Sequence, residues 1–276
     1  MKSKSIIRSF ALLLLFISLI GSSNAWSQDK LIILHTNDTH SRIEAMPSTD
    51  KQYPLRGGVV NRKAIIDSIR QINEVLLLDA GDIVQGTPYF NLFDGKTETE
   101  CLNNMGYEVG TIGNHEFDNG VENLNLIVSN LKYPIVCCNY DFTGTKLESK
   151  IKPYVIIKKK GLKIGVIGVG ANPDGLIAKD KFAPVKYLPA IETANKYAQQ
   201  IRKKCDLIIA LTHIGFTDDK ELAAQSEDID LVIGGHSHTF LEVPEKVKNK
   251  NGKEILVTQV GKNGVSIGKI EINIQK

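Results

Sequence analysis

The chain has 276 residues, of which 42% are hydrophobic and 24% carry a charge. This is the composition of an ordinary globular protein, and it excludes a fibrous or an intrinsically disordered chain. The length suits one large domain or two small ones. Lys and Arg number 34 against 31 Asp and Glu, so bulk charge gives no reason to expect a nucleic-acid partner.

The first 25 residues have the layout of a secretory signal peptide. A basic head precedes an apolar run, Phe10–Ile20, and small residues follow at Ser23–Ala25. The alternative is an uncleaved membrane anchor, which the short apolar run disfavours, since a membrane-spanning helix needs about 20 residues. We therefore expect residues 1–25 to be removed on export to the periplasm or the extracellular space, leaving no membrane anchor. The remaining residues 26–276 are formally neutral, because the removed segment holds three of the 34 basic residues and none of the 31 acidic ones.

Up to residue 139, the mature chain alternates short β-branched runs with patterns of helical period. The predicted strands are Leu31–His35, Val75–Asp79, Val109–Ile112 and Pro134–Asn139. The predicted helices are Gly58–Ile72, Thr99–Met105 and Val121–Leu131. Such alternation is typical of a sheet covered by helices.

From residue 154 onward, the pattern first predicts a hairpin, because two β-branched runs flank a Lys-Lys-Gly turn. Its strands are Tyr154–Lys158 and Leu162–Gly168. The next predicted elements are a helix at Pro189–Lys204, a strand at Leu207–Leu211, a short helix at Asp219–Ser226 and a strand at Ile229–Gly234. The last are two strands, Glu254–Val260 and Ser266–Ile274, joined by a turn at Gly261–Gly264. We expect one α/β domain in which two sheets pack together with helices outside.

Most of the histidines follow predicted strands. Five of the six, together with two aspartates, come just after a strand end. They are Asp38, His40, Asp82, His115, His213, His236 and His238, and Asn114 lies among them. Ligands of open α/β sheets bind at the carboxyl edge of the strands, so we expect these side chains to converge there.

These residue types predict a metal site. Imidazole and carboxylate together suit Zn, Mn, Fe or Ni, whereas the four cysteines lack the Cys-x-x-Cys spacing of a thiolate zinc site. The candidate ligands are Asp38, His40, Asp82, Asn114, His213, His236 and His238. Such a set is too large for one ion and suits two divalent ions, Zn, Mn or similar, with Asp82 able to bridge them. Ion pairs about 3.5–4 Å apart are the usual arrangement for hydrolysing phosphate esters, and two ions balanced by only two carboxylates keep a positive charge that attracts phosphate.

His115 and Asp118 are candidates for a catalytic role beside the predicted metal site. His115 is adjacent to the candidate ligand Asn114, so we expect its side chain to face the substrate instead of the ions. Asp118 lies three residues further on and can fix the tautomer of His115 by a hydrogen bond. A histidine placed in this way can donate a proton to the leaving alkoxide.

Five ordered segments carry a family resemblance: Asn37–His40, Gly81–Gly86, Gly113–Asp118, Thr212-His213 and Gly235–His238. They resemble the motifs of calcineurin-like metallophosphoesterases, and Gln85-Gly86 and Phe117-Asp118 resemble the 5′-nucleotidase branch. The resemblance covers nearly all of residues 26–276. It implies a four-layer α/β/β/α sandwich that forms a catalytic domain.

The resemblance also implies a role for each candidate residue. Asp38 and His40 would hold one ion, with His238 as a further contact, and Asn114, His213 and His236 would hold the other, with Asp82 bridging. His115 and Asp118 would form the catalytic dyad. In this family a metal-bound water or hydroxide attacks phosphorus directly, without a phosphoenzyme intermediate.

One departure from the family affects the expected substrate. Family nucleotidases usually carry a C-terminal domain that stacks the base, whereas this sequence stops at Lys276, so we expect that domain to be absent. The expected activity is hydrolysis of nucleotide-type phosphate esters. The alternatives are 2′,3′-cyclic nucleotides, nucleotide sugars, a sulfur ester, or a metal-binding subunit that needs a separate substrate-binding chain.

Several other polar residues are expected to have ordinary structural roles. We expect His35 to pack or to support a ligand, and Glu116 to make hydrogen bonds behind the metal site. Arg42 is expected to be a solvated loop residue rather than a phosphate contact. Lys158–Lys160 and Lys246–Lys253 are predicted as exposed turns or loops, and the cysteines as buried apolar side chains.

Overall fold

The computed structural model describes residues 30–274, so the predicted signal peptide lies outside the described part. The helices are α1 (Val59–Arg70), α2 (Pro88–Phe93), α3 (Lys96–Met105), α4 (Gly120–Asn130), α5 (Lys179–Phe182), α6 (Ala190–Ile201) and α7 (Phe216–Gln225). The strands are β1 (Lys30–Thr36), β2 (Glu74–Asp79), β3 (Val109–Gly110), β4 (Tyr140–Asp141), β5 (Tyr154–Lys159), β6 (Leu162–Val169), β7 (Lys186–Tyr187), β8 (Leu207–Thr212), β9 (Leu231–Ile233), β10 (Glu245–Lys248), β11 (Glu254–Thr258) and β12 (Gly268–Asn273). Short 3₁₀ turns form at His115–Phe117 and Arg202–Lys204. Among these residues, every helix is too short or too polar to cross a bilayer.

Two main sheets organise the strands. The first has the order β12-β1-β2-β3, with β1, β2 and β3 parallel and β12 antiparallel at one edge. The second has the order β10-β11-β9-β8-β6-β5, with four parallel central strands and an antiparallel strand at each edge. The central strands of both sheets therefore end at carboxyl edges, where their loops can meet.

The alternation of side chains along β1 explains how the layers pack. Leu31 and Ile33 point into a core between the two sheets, while Ile32 and Leu34 point into a core beneath the helices of the first sheet. A third core lies between the second sheet and helices α6 and α7. Because each sheet is buried on both faces, its central strands are continuously apolar rather than alternating. The predicted α/β/β/α sandwich is confirmed.

Substitution of Leu76 tests how much the core between the sheets contributes to stability. Its side chain is fully buried there, so Leu76→Ala is expected to lower the free energy of unfolding by about 2–5 kcal/mol. Leu92→Ala is the matched control, because Leu92 is 70% exposed on α2 and its loss should cost far less. Urea denaturation of both variants measures the difference, and equal losses would contradict the assigned packing.

The predicted strand Pro134–Asn139 is wrong as a regular strand. Successive backbone N–H groups there donate to different partners: Val136 to Gly110 O, Cys137 to Lys152 O and Cys138 to Gly168 O. The segment thus passes from the first sheet to the second and forms only isolated bridges. A Cβ on Gly168 would lie 1.9 Å from Val136 O, so this close approach requires glycine.

Two differences concern the C-terminal part of the described chain. Strands β11 and β12 form as predicted, but they lie in different sheets, so their connection is a crossing between layers and not a hairpin turn. The predicted loop Lys246–Lys253 is partly wrong, because Glu245–Lys248 pairs with β11 as an edge strand. Its charged side chains suit an edge, where they discourage pairing with other chains.

Candidate metal centre

The loops after the central strands are held side by side at the carboxyl edges. In the loop after β1, the N–H groups of Asp38 and His40 donate to the carbonyls of Gly81 and Asp82 in the loop after β2, at 2.9 and 3.0 Å. The loops after β3, β8 and β9 reach the same place through their side chains. All seven candidate ligands therefore meet in one region that spans both sheets.

Asp38, His40 and His238 form one group of donor atoms. The Nε2 atoms of His40 and His238 lie 3.0 Å apart. Oδ1 of Asp38 lies 3.8 Å from the first and 3.4 Å from the second. The Asp38 side chain has no exposed surface, so its carboxylate cannot be stabilised by bulk water. A cation held by these three atoms would balance the buried charge.

Asp82 and His213 form a second group beside the first. Nε2 of His213 lies 3.0 Å from Oδ2 of Asp82, yet it makes no well-aligned hydrogen bond. Nδ1 of the same ring lies 2.6 Å from Ala80 O. Because a carbonyl oxygen only accepts, Nδ1 carries the proton, and Nε2 is left to bind a cation.

Asn114 and His236 complete the second group. Oδ1 of Asn114 lies 2.9 Å from Nδ1 of His236, and the rings of His236 and His213 have centroids 5.4 Å apart. Asp82 lies between the two groups, because its carboxylate oxygens are within 4.8 Å of ligand atoms on both His40 and His213. This donor set, rich in imidazole and carboxylate, fits transition-metal cations.

The electrostatics of the site also favour added positive charge. Burial lowers the pKa of His213, but the carboxylates of Asp82 and Asp38 and the hydrogen bond to Ala80 O together outweigh burial and raise that pKa to about 10. Burial raises the pKa of the Asp82 carboxyl. The neighbouring histidines, His213 above all, outweigh burial and hold that pKa well below its usual value. The carboxylates of Asp38 and Asp82 therefore attract a positive charge, which a proton or a divalent cation can supply.

Five of the seven candidate ligands have left-handed backbone conformations. Asp38, His40, Asp82, His236 and His238 have φ between 47° and 76°. Residues other than glycine rarely adopt this region, and such strain concentrates at ligand-binding sites. The fold thus keeps these side chains aimed at one point despite an unfavourable backbone.

His115 and Asp118 lie beside the two groups of donor atoms. Nδ1 of His115 is 2.9 Å from Oδ2 of Asp118, and the His115 ring packs edge-on against His40 with centroids 5.3 Å apart. The hydrogen bond to Asp118 raises the pKa of His115, which favours its protonated form. The His115 side chain is 30% exposed, so a substrate can reach it.

Glu116 confirms the prediction of a hydrogen-bonding role behind the site. Its buried carboxylate accepts the N–H groups of Asp82, Ile83 and Gly113 at 3.1, 2.7 and 2.6 Å. Burial is the largest cause that raises its pKa to about 7. The contacts fix the loop after β2 against the loop after β3, and so place Asp82 beside Asn114.

Asn37 is a supporting residue that the sequence analysis did not single out. Its Nδ2 donates to Oδ2 of Asp38 at 2.6 Å and to Gly261 O at 2.7 Å. Its Oδ1 accepts the N–H of Val260 at 3.0 Å. An amide directly before the candidate ligand Asp38 was the available signal. His35, by contrast, packs in the core without a hydrogen bond from either ring nitrogen, and Arg42 is half-buried rather than solvated.

Comparison with known proteins agrees with the fold and the motifs. The family model of calcineurin-like phosphoesterases matches residues 31–240. The chain belongs to the calcineurin-like phosphoesterase family, a family of metal-dependent phosphoric ester hydrolases. The prediction of this family is confirmed.

The similar proteins named as nucleotidases are longer than this chain. A snake venom 5′-nucleotidase of Gloydius brevicauda is 32% identical in an alignment of 268 residues that covers 88% of this chain and 45% of that protein. The structure of a 5′-nucleotidase precursor from Thermus thermophilus has a TM-score of 0.82 and 30% identity, covering 89% of this chain and 52% of that one. The NAD nucleotidase of Haemophilus influenzae has a TM-score of 0.79 and 30% identity, covering 88% and 47%. The chain spans about half the length of the relatives it matches.

Proposed function

We propose that this chain is the catalytic part of an exported phosphoesterase that uses two divalent ions to hydrolyse nucleotide phosphate esters. The observation that carries the proposal is the convergence of two buried carboxylates with histidine nitrogens, beside an accessible histidine paired with Asp118. Export is proposed from the basic and apolar layout of residues 1–25.

Each ion is assigned to one of the two donor groups. Asp38, His40 and His238 would hold the first, and Asn114, His213 and His236 the second, with Asp82 shared. When bound, such ions lower the pKa of water and offset the negative charge of a phosphate. The native metal is proposed to be Zn, Mn or a similar ion, because nitrogen and oxygen donors suit these ions.

His115 is proposed to hold the proton that the leaving oxygen needs. Because Asp118 accepts from Nδ1, the ring keeps a fixed orientation and its Nε2–H becomes the available donor. Proton donation by a positioned histidine suits an ester whose leaving group is a poorly stabilised alkoxide, such as a nucleoside oxygen.

Nucleotide substrates are favoured over other phosphate esters by the similar proteins. Three of those that are at least 30% identical and cover most of this chain are named 5′-nucleotidase or NAD nucleotidase. A second proposal is that substrate recognition needs a further part of the protein or a separate chain, since the relatives are about twice as long. The alternative substrates, a cyclic nucleotide, a nucleotide sugar or a sulfur ester, would bind at the same seven candidate ligands.

A substrate panel with residues 26–276 tests the proposal. We expect phosphate release from a nucleoside 5′-monophosphate that chelation reduces to the buffer background and that Mn²⁺ or Zn²⁺ restores. The panel also contains a 2′,3′-cyclic nucleotide, a nucleotide sugar and p-nitrophenyl phosphate. Turnover of the aryl phosphate alone would support the need for a further recognition part. Activity that survives prolonged chelation would contradict the two-ion proposal.

A further inference from the structure

Gln259 lies directly behind the loop that carries His236 and His238. It follows β11, has no exposed surface, and is not one of the candidate ligands. We propose that Gln259 is a positioning residue that sets the orientation of both histidines and thereby the affinity for both ions. The inference rests on the proposed metal-dependent function.

Four hydrogen bonds fix the side-chain amide of Gln259. Its Nε2 donates to Gly235 O and to Oδ2 of Asp219, each at 2.8 Å. Its Oε1 accepts the hydroxyl of Ser237 at 3.0 Å and the N–H of Thr239 at 3.3 Å. The amide uses both donors and both acceptor positions. A flipped amide would place oxygen against oxygen and N–H against N–H, so only one orientation fits.

These partners alternate with the two histidines along the chain. Gly235, Ser237 and Thr239 flank His236 and His238, so one buried side chain holds the loop at three points. The main chain adds support at the loop ends, where Gly234 N–H donates to Thr258 O and Gly261 N–H donates to Thr239 O, both at 2.9 Å. Contacts with the end of β11 and the residues that follow it therefore hold the loop in its conformation.

The loop needs such support because its backbone is strained. His236 and His238 have φ of 76° and 55°, a region that side chains other than glycine disfavour. Without the contacts to Gln259, the loop would relax toward ordinary backbone angles and turn both imidazoles away. Since the two histidines belong to different donor groups, one change in Gln259 should weaken both ion sites.

Asp219 connects Gln259 to the strand end that carries His213. The Asp219 carboxylate accepts the Thr212 hydroxyl at Oδ1 and the Gln259 amide at Oδ2. It is fully buried, and a Cβ on Gly234 would lie 1.9 Å from its Oδ2. Thr212, Asp219 and Gln259 thus form a closely packed network, in which the end of β8 and the histidine loop are held together.

Gln259→Glu tests the inference with little change in size. It keeps one acceptor for Ser237 but places a carboxylate oxygen against Gly235 O and Asp219. We expect the dissociation constants of both Mn²⁺ ions to rise about 10- to 100-fold, the usual effect of losing a group that orients metal ligands. Calorimetric titration of the full mature chain with Mn²⁺ alone measures this, with no substrate present. In Asp219→Asn/Gln259→Glu, the new amide can donate to the new carboxylate, so the affinity should partly recover.

Two controls separate positioning from general destabilisation. Gln225→Glu makes the same chemical change on the exposed face of α7, where the side-chain amide of Gln225 donates to Glu221, and should leave Mn²⁺ affinity unchanged. Ile255→Val removes a buried methyl group from β11, and should lower the melting temperature without weakening Mn²⁺ binding.

Three results would overturn the inference in distinguishable ways. Wild-type Mn²⁺ affinity in a folded Gln259→Glu variant contradicts it directly. Should that variant fail to fold, wild-type Mn²⁺ affinity in a folded Ser237→Ala variant, which loses a contact between the histidine loop and Gln259, contradicts it instead. A wild-type chain that binds no divalent ion contradicts the proposed function itself, and the inference with it.

Discussion

Asp82→Asn is expected to lower kcat/KM by at least about 10²- to 10³-fold while the protein stays folded. Asparagine has the size of aspartate, but it removes one negative charge from the centre of the site. Oδ2 of Asp82 lies 3.0 Å from Nε2 of His213, and Oδ1 accepts the N–H of His115. The substitution therefore weakens the attraction for both proposed ions. It also disturbs the position of His115, the proposed proton donor.

The measurement for Asp82→Asn combines phosphate release with Mn²⁺ binding. Asp67→Asn is the matched control, because Asp67 pairs with Lys63 on the exposed face of α1 and surface ion pairs contribute little. The control should keep both activity and affinity, and circular dichroism should show that both variants are folded. Wild-type kcat/KM in Asp82→Asn would contradict the assigned position of Asp82 between the ions.

The convergence of the candidate ligands could be anticipated from the sequence, because strand ends are readable and parallel strands share an edge. The apolar runs before Asn37, Ala80 and Thr111 are strands buried on both faces. Polar residues just after such runs must lie near one another. The pattern of strands and helices already predicts two packed sheets with helices outside, and the family resemblance identifies this arrangement as a four-layer α/β/β/α sandwich.

Other features depend on contacts between distant segments and could not be anticipated. Pro134–Asn139 has the composition of a strand, but its N–H groups pair with three separate segments. Strands β11 and β12 are close in sequence yet lie in different sheets. The composition of each segment indicates extended backbone, but packing against distant parts of the chain decides which segments it pairs with.

The supporting residues were missed for a related reason. Gln259 follows another polar residue, Thr258, near the end of a mostly apolar run, Ile255–Val260, and such a residue is indistinguishable by pattern from an exposed position of a strand. Only the fold shows that its neighbours are the loop carbonyls and hydroxyls beside His236 and His238. The ligand types have a chemical signature, whereas the residues that orient them do not.

His115→Ala is expected to lower kcat by about 10²- to 10⁴-fold for a nucleoside 5′-monophosphate, the usual contribution of a positioned proton donor. The loss should be much smaller for p-nitrophenyl phosphate, because its leaving group is stable as an anion and needs little protonation. Mn²⁺ affinity should change little, since His115 is not one of the seven proposed ligands. Steady-state kinetics with both substrates, alongside calorimetry, measures these differences.

Asp118→Asn tests the proposed proton-donor role of His115 through the pH dependence of kcat. The hydrogen bond between His115 and Asp118 raises the pKa of His115, so the protonated ring persists to higher pH. Because a proton donor acts in its protonated form, activity should fall as the pH rises through this pKa. Removing the charge of Asp118 lowers the pKa, and the alkaline limb of the kcat profile should therefore move to lower pH. An unmoved limb, together with equal losses for both substrates in His115→Ala, would assign His115 to substrate binding instead of proton donation.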